Sequence, residues 1–119
     1  YRTLSALGIP MPRLLAVDEA QERLVKQYIP GPTVLEQLQT GTLPPQAEEQ
    51  MRALCRLLYP AGLNIDYFPT NFILWGGVLY YVDYECNPYD AQWDFSHWGS
   101  RYWADTPELR AWLQEHGQN

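Results

Sequence analysis

The stretch NIDYFPTNFILWGGVLYYVDYE, residues 64–85, decides how this chain folds. Within it Asp66 lies five residues before Asn71, and Asp83 lies twelve residues after Asn71. Residues 72–79 predict a strand, a glycine turn and a second strand, because apolar residues flank two adjacent glycines. Such a hairpin turns the chain back on itself, so we expect Asp83 to face Asn71 across one cleft.

These side chains offer the kind of oxygen atoms that a hard divalent cation binds. Mg²⁺ prefers oxygen ligands and keeps several of its waters, so the protein needs to contribute only about one carboxylate and one amide as ligands. Asn71 and Asp83 are candidate ligands of this kind, and Pro69 stiffens the loop that separates them from Asp66. Asp and Asn beside a proline are also ordinary turn formers, so the loop 66–71 taken alone matches many unrelated loops.

The residues before this loop predict a β-hairpin followed by two helices. Residues 8–17 and 23–29 are apolar-rich segments around a polar turn, and the Pro-Gly-Pro at 30–32 ends the second one. A Thr three residues before a Glu predicts a capping box at the start of a helix over 33–39. Residues 44–58 carry an apolar stripe at helical spacing, which predicts a second and longer helix.

Two further helices are predicted after the loop. Asp94 is a candidate cap for a helix whose aromatic residues share one face: Trp98, Tyr102 and Trp103. Residues 107–116 predict a final amphipathic helix with Thr106 as its cap. Together with the two hairpins, these elements predict an α+β fold.

In this order of elements the chain resembles the protein-kinase-like superfamily, above all its compact aminoglycoside- and choline-kinase-like branch. The resemblance rests on the Asp-Asn-Asp spacing of residues 66–83 and on Asp94 with Gly99 five residues later. It also rests on residues 24–33, which are similar to the strand and the segment after it by which the chain of the family passes from the small lobe to the large lobe. It implies one partial kinase-like domain over 1–119, in which a small-lobe hairpin and hinge (1–32) precede a helical large lobe with the catalytic-loop β-hairpin (33–119).

The resemblance also implies a role for each site residue, with ATP and Mg²⁺ as cofactors. Asp66 would be the catalytic residue, and the other roles fall to metal ligands (Asn71, Asp83, Glu85), to a hinge that binds the adenine edge (Gln27, Tyr28, Ile29) and to supporting residues (Asn64, Asp94). Asn64 stands where the family usually has His, and an amide can still hydrogen-bond the loop backbone. The resemblance implies that Asp94 also supports the catalytic loop, by hydrogen-bonding its backbone. Glu85 follows Asp83 at the position where protein kinases have Gly.

The function that this resemblance implies is transfer of the γ-phosphate of ATP to a hydroxyl group. Only residues 84–93 separate Asp83 from Asp94, which favours a small-molecule acceptor over a protein Ser or Thr. No glycine-rich phosphate loop or strand lysine precedes the hinge, so we expect this chain to be a fragment that is inactive by itself. Two alternatives stay open: a pseudokinase or nucleotide-binding module without transfer, and a hydrolase that uses Asp83 and Glu85 as a carboxylate pair.

Composition limits the partners and the compartment. A net charge of −6 and a pI near 4.7 argue against nucleic acid or an anionic membrane as the main partner. No apolar run is long enough to cross a bilayer and no signal peptide is visible, so we expect a cytoplasmic location. Two cysteines, Cys55 and Cys86, give no zinc pattern. The abundant Trp residues of the last third fit either core packing or a stacking surface for a ligand.

Overall fold

The computed structural model describes residues 2–18, 20–21 and 23–116, which form short α-helices and short β-strands. The α-helices of this part are α1 (Arg2–Leu7), α2 (Val34–Thr40), α3 (Gln46–Leu58) and α4 (Pro107–Glu115). The strands are β1 (Leu14–Asp18), β2 (Arg23–Lys26), β3 (Leu63–Asn64), β4 (Phe72–Trp75), β5 (Val78–Tyr81) and β6 (Asn87–Pro88). The predicted α+β class is therefore confirmed.

The strands form three separate antiparallel pairs, β1 with β2, β3 with β6 and β4 with β5. The β4–β5 hairpin has the predicted position, with Phe72 opposite Tyr81 at its base. Gly76 and Gly77 close it with φ of 61° and 78°. A tight two-residue turn of this kind needs positive φ at both central positions, which explains the glycine pair.

The two predicted helices before the loop are confirmed. Thr33 caps α2: its side chain accepts a hydrogen bond from Glu36 N at 3.2 Å, and Thr33 N donates to Glu36 Oε1 at 2.9 Å. The apolar stripe of α3 is buried except for Leu57, which is 42% exposed, and Cys55 packs there as a small apolar residue. Both cysteines are free thiols.

Helix α3 also fixes the β4–β5 hairpin in place. The Gln50 side chain donates to Gly77 O at 2.8 Å and accepts from Leu79 N at 2.8 Å. One amide thus satisfies two backbone groups of the hairpin and sets its position relative to the helix. This clamp holds the strands that lead into and out of the candidate site.

The prediction of a helix from Asp94 to Trp103 is wrong. Trp98 N and Gly99 N both donate to Asp94 O, at 2.9 and 3.1 Å, and the chain then continues as turns with a short 3₁₀ segment over Gly99–Tyr102. The physical reason is tertiary contact. At Gly99 a Cβ atom would lie 2.6 Å from Tyr67 Cβ, so the segment follows the surface of the loop instead of the period of a helix.

One core joins the elements from α1 to the last turns. Leu4 of α1, a helix that the sequence analysis did not predict, is fully buried in the same cluster as Phe72, Tyr81 and Trp103. The rings of Phe72 and Phe95 meet Trp103 edge-on at 5.4 and 5.6 Å. Helix α4 begins at its predicted cap, Thr106, whose side chain accepts from Leu109 N at 3.2 Å.

Within the described part of the chain, no helix has both the length and the apolar composition needed to cross a membrane.

Candidate active site

The loop 65–71 is held from several sides, which fixes Asp66. Asp66 N donates to Tyr81 Oη at 3.3 Å, and Asp66 O accepts from Asn71 Nδ2 at 3.3 Å. One oxygen of the carboxylate accepts from Phe68 N at 3.2 Å. Trp103 Nε1 donates to Tyr67 O at 2.7 Å and anchors the middle of the loop to the core.

Tyr81 joins this loop to the chain that follows the hairpin. Its buried hydroxyl accepts from Asp66 N and donates to Glu85 O at 2.8 Å, so a single oxygen bridges two segments of the site. Burial raises the pKa of Tyr81 above its usual range, which keeps the phenol neutral and able to donate. Sequence reasoning missed this residue, because alternation along the strand predicts burial but not the partners of the hydroxyl.

Three carboxylates meet at this point. Asp66, Asp83 and Glu85 each place an oxygen atom within 4.8 Å of the other two, and we call this set the carboxylate cluster. Asp66 and Asp83 are half-buried, whereas Glu85 is exposed. Asn71 lies beside them, because its backbone oxygen accepts from Val82 N at 2.9 Å. The structure therefore brings together all four residues that the sequence analysis chose as the catalytic carboxylate and the metal ligands.

The donor set fits Mg²⁺. Carboxylate and amide oxygens are the hard ligands that this cation prefers, and partial exposure leaves room for the waters that it keeps. The amide nitrogen of Asn71 is used in holding Asp66 O, while its oxygen makes no hydrogen bond to any residue that the structure describes.

Asn64 supports the loop through side chains. It is buried, accepts a hydrogen bond from Tyr67 Oη at 3.0 Å and donates to Asp90 O at 3.0 Å. Asn64 thus ties the loop to the segment that follows β6, which is a task that an amide can perform with its donor and its acceptor together.

Asp94 is placed differently from what the resemblance implies. Its buried carboxylate accepts from Tyr89 Oη at 2.8 Å and from His97 N and Nδ1 at 2.8 and 2.9 Å, all near it in sequence. Burial alone would raise the pKa of Asp94, but the bonds from His97 and Tyr89 hold it below the usual value. The backbone of the loop 65–71 is held by Trp103 instead, which sequence reasoning assigned only to a helix face.

The predicted hinge residues line one groove beside the cluster. This hinge groove, of about 260 Å³, is lined by Pro12, Lys26, Gln27, Tyr28, Ile29, Ile73 and Val82. Gln27 is fixed by its backbone bond to Arg13 O at 2.8 Å. The backbone groups of Tyr28 and Ile29 make no hydrogen bond to any other described residue, so they are free of protein partners within the described ranges.

A second cavity, also of about 260 Å³, opens on Asp66 itself. We call it the acidic cavity, and it is lined by Asn64, Ile65, Asp66, Glu85, Asn87, Pro88, Asp90, Trp93 and Trp98. The chain from Val82 to Glu85 runs from the hinge groove to this cavity. Among the Trp residues of the last third, Trp103 belongs to the core, whereas Trp93 is 51% exposed and faces this space with Trp98. The core-packing interpretation is therefore confirmed for Trp103, whereas the ligand-stacking interpretation stays a prediction that concerns Trp93.

Comparison of the chain with protein-family models, with curated proteins and with solved structures gave no match in any of the three.

Proposed function

We propose that this chain carries the centre of an ATP- and Mg²⁺-dependent phosphotransferase of kinase-like architecture, which transfers the γ-phosphate to a hydroxyl group of a small molecule. The observation that supports it most is the convergence of Asp66, Asp83 and Glu85 within 4.8 Å, at the place where residues 82–85 run from one cavity to the other. A phosphotransferase needs a nucleotide, a metal site and an acceptor side by side, and this arrangement offers a place for each.

The metal ligands in this proposal are Asp83, Glu85 and Asn71. Bound there, Mg²⁺ would neutralise negative charge on the phosphate oxygens. The residues themselves hold the ligand positions: Tyr81 fixes the backbone of Glu85, and the bond from Val82 N fixes Asn71 next to Asp83. Positioning of this kind supplies much of the acceleration in phosphoryl transfer, because the transition state needs little covalent help.

The nucleotide is assigned to the hinge groove. Ile29, Ile73 and Val82 give it apolar walls, and the free backbone edges of Tyr28 and Ile29 suit the polar edge of an adenine. Because Val82 directly precedes Asp83, a base in this groove would lead its phosphates toward the carboxylate cluster. Lys26 supplies a positive charge at the same edge, where its ammonium donates to Val82 O and lies 4.9 Å from the centre of the Tyr84 ring.

The acceptor is assigned to the acidic cavity. One oxygen of Asp66 accepts from Phe68 N, and the other makes no hydrogen bond within the part of the chain that the structure describes. That second oxygen is available to take the proton of a substrate hydroxyl as the phosphoryl group arrives. Asp90, Glu85 and the exposed Trp93 ring support an acceptor that carries a positive charge, since carboxylates and indole faces both attract cations.

The substitution Asp66→Asn in the full-length protein tests the proposal. Because the proton acceptor is removed while the shape is kept, we expect turnover with amino-alcohol and amino-sugar acceptors to fall about 10²–10⁴-fold. Binding of Mg-ATP, measured by calorimetry, should change little. Turnover unchanged in this variant would defeat the assignment of Asp66.

Two other functions are separated by the same samples. A nucleotide-binding module without transfer would bind Mg-ATP and show no phosphorylated product with the unsubstituted protein. A hydrolase that uses Asp83 and Glu85 would cleave glycosides with no nucleotide present. We favour the phosphotransferase because a hydrolase of this kind would use neither the hinge groove nor the amide oxygen that Asn71 offers to a cation.

A further inference from the structure

A third cavity lies apart from the proposed active site, between α3 and the turn after Asp94. It has a volume of about 210 Å³ and is lined by Arg52, Cys55, Arg56, Tyr59, Phe95 and Ser96. None of these residues lines the hinge groove or the acidic cavity. We call it the arginine pocket.

Two guanidinium groups reach this pocket from one side of α3. Arg52 and Arg56 are four residues apart, which places them on the same helical face one turn from each other. Arg52 lies 5.2 Å from the centre of the Phe95 ring and 3.2 Å from Glu48, in a pair whose side chains are 48% and 51% exposed. Arg56 makes no ion pair with any residue in the described ranges. Positive charge is thus concentrated at one place on a chain of net charge −6.

A hydroxyl group faces the two arginines across the pocket. Ser96 Oγ makes no hydrogen bond to any residue that the structure describes, so both its donor and its acceptor capacity are unused. The turn that carries Ser96 is rigidly held, because Phe95 N donates to Tyr59 Oη at 3.0 Å and His97 N donates to Asp94. Cys55 and Phe95 add an apolar floor.

Ordinary structural roles explain only part of this arrangement. Arg56 lies in the last turn of α3, where a cation is favourable to the helix dipole. The dipole does not account for Arg52 one turn earlier or for the unbonded Ser96 opposite. Asp94, the nearest carboxylate on the same turn, is buried and already accepts three hydrogen bonds, so Glu48 is the anion that a ligand would displace.

We propose that the arginine pocket is a binding site for a phosphate dianion, held by Arg52, Arg56 and Ser96 Oγ. The planar forks of guanidinium groups match the geometry of phosphate oxygens and form charge-assisted hydrogen bonds with them. The volume is ample for such an anion with a few waters, since each water takes about 30 Å³. A phosphate bound there ties α3 to the turn 94–97, whose Phe95 ring packs on Tyr67 of the loop at 6.0 Å.

The same chemistry has two sources, free inorganic phosphate and a phosphomonoester. Titration of the ¹⁵N-labelled protein with sodium phosphate, and in parallel with glycerol phosphate, distinguishes them, with sodium chloride at equal ionic strength as the reference. We expect saturable amide shifts centred on Phe95, Ser96 and His97, and the tighter ligand identifies the source. Shifts that follow ionic strength alone, with no saturation, would overturn the proposal.

Three exposed substitutions test the residues involved. Arg56→Gln should weaken phosphate binding about tenfold, which is the loss expected for one charge-assisted contact of roughly 1.4 kcal/mol. Glu48→Gln should tighten it, because the competing carboxylate is gone. Arg110→Gln is the matched control: Arg110 pairs with Asp105 at 2.7 Å on the exposed surface elsewhere, so its removal should leave the phosphate affinity unchanged. Equal phosphate affinities in all three variants would show that the two arginines do not bind the anion.

Discussion

Tyr81→Phe removes one oxygen from a buried ring whose shape otherwise stays the same. The lost hydroxyl accepts from Asp66 N at 3.3 Å and donates to Glu85 O at 2.8 Å. Both backbone groups then lose a partner in a place where water reaches them only partly. A half-buried polar group left without its partner costs about 1–3 kcal/mol, and the longer of the two bonds contributes the smaller share. We expect the free energy of unfolding to fall by about 2 kcal/mol.

Urea unfolding followed by tryptophan fluorescence measures this loss, because Trp103 is in the core and senses the global transition. Tyr80→Phe is the matched control. Tyr80 is the preceding residue of the same strand, and its hydroxyl makes no hydrogen bond to any described residue. The control should lie within about 0.5 kcal/mol of the unsubstituted protein, as surface-type substitutions do.

A second measurement links the same variant to the metal. A cation that binds only the folded state stabilises it by RT ln(1 + [L]/Kd), so added MgCl₂ should raise the unfolding free energy of the unsubstituted protein. In Tyr81→Phe the rise should be smaller, because Glu85 and Asp66 are no longer held in register by a common oxygen. The reasoning is refuted if Tyr81→Phe and Tyr80→Phe match each other in both stability and response to MgCl₂.

Three further substitutions test other parts of the structure. Asp83→Asn should raise stability without cation, since it relieves repulsion in the carboxylate cluster, and should reduce the response to MgCl₂ in the same unfolding experiment. Gly99→Ala places a methyl group 2.6 Å from Tyr67 Cβ; overpacking of this kind costs about 1–3 kcal/mol, and no change in the urea midpoint would contradict the packing. Asp94→Asn tests pH dependence: the pKa of Asp94 is lowered in the folded state, so its contribution is present above the unfolded value of about 4 and is lost as pH falls through the folded value. Acid unfolding monitored by circular dichroism should therefore have a shallower slope below pH 4 in Asp94→Asn, and an unchanged slope would exclude this carboxylate as a cause.

The carboxylate cluster could be predicted from sequence because its parts are local. The glycine pair at 76–77 sets the hairpin, the hairpin sets the register, and the register brings Asp83 back beside Asn71. Each step depends on neighbours within about twenty residues, where turn chemistry and strand alternation decide the outcome. The capping box at the start of α2 belongs to the same class of local signals.

The acidic cavity could not be predicted, because its walls come from separate parts of the chain. Asp90 and Trp93 lie beside Asp66 because β6 pairs with β3. This pairing involves only two residues of each strand, and no pattern in the sequence predicts it. The helix predicted from Asp94 failed for a related reason. Its aromatic residues have helical spacing, but close packing of Gly99 on Tyr67 competes with helix propensity and prevails.

The carboxylate cluster is held together by bonds that its own charges oppose. Two unit charges 4.8 Å apart repel by about 1 kcal/mol even at the dielectric constant of water, and by more where they are half-buried. The cluster cannot relax freely, because Tyr81 fixes both Asp66 and Glu85 through their backbones. A solvated acidic surface would spread its side chains and lose nothing when one carboxylate is neutralised. In a cation site, the repulsion persists while no cation is bound and is relieved when the cation binds. Neutralising one carboxylate must therefore raise the free energy of unfolding without cation and reduce the increase that added MgCl₂ produces.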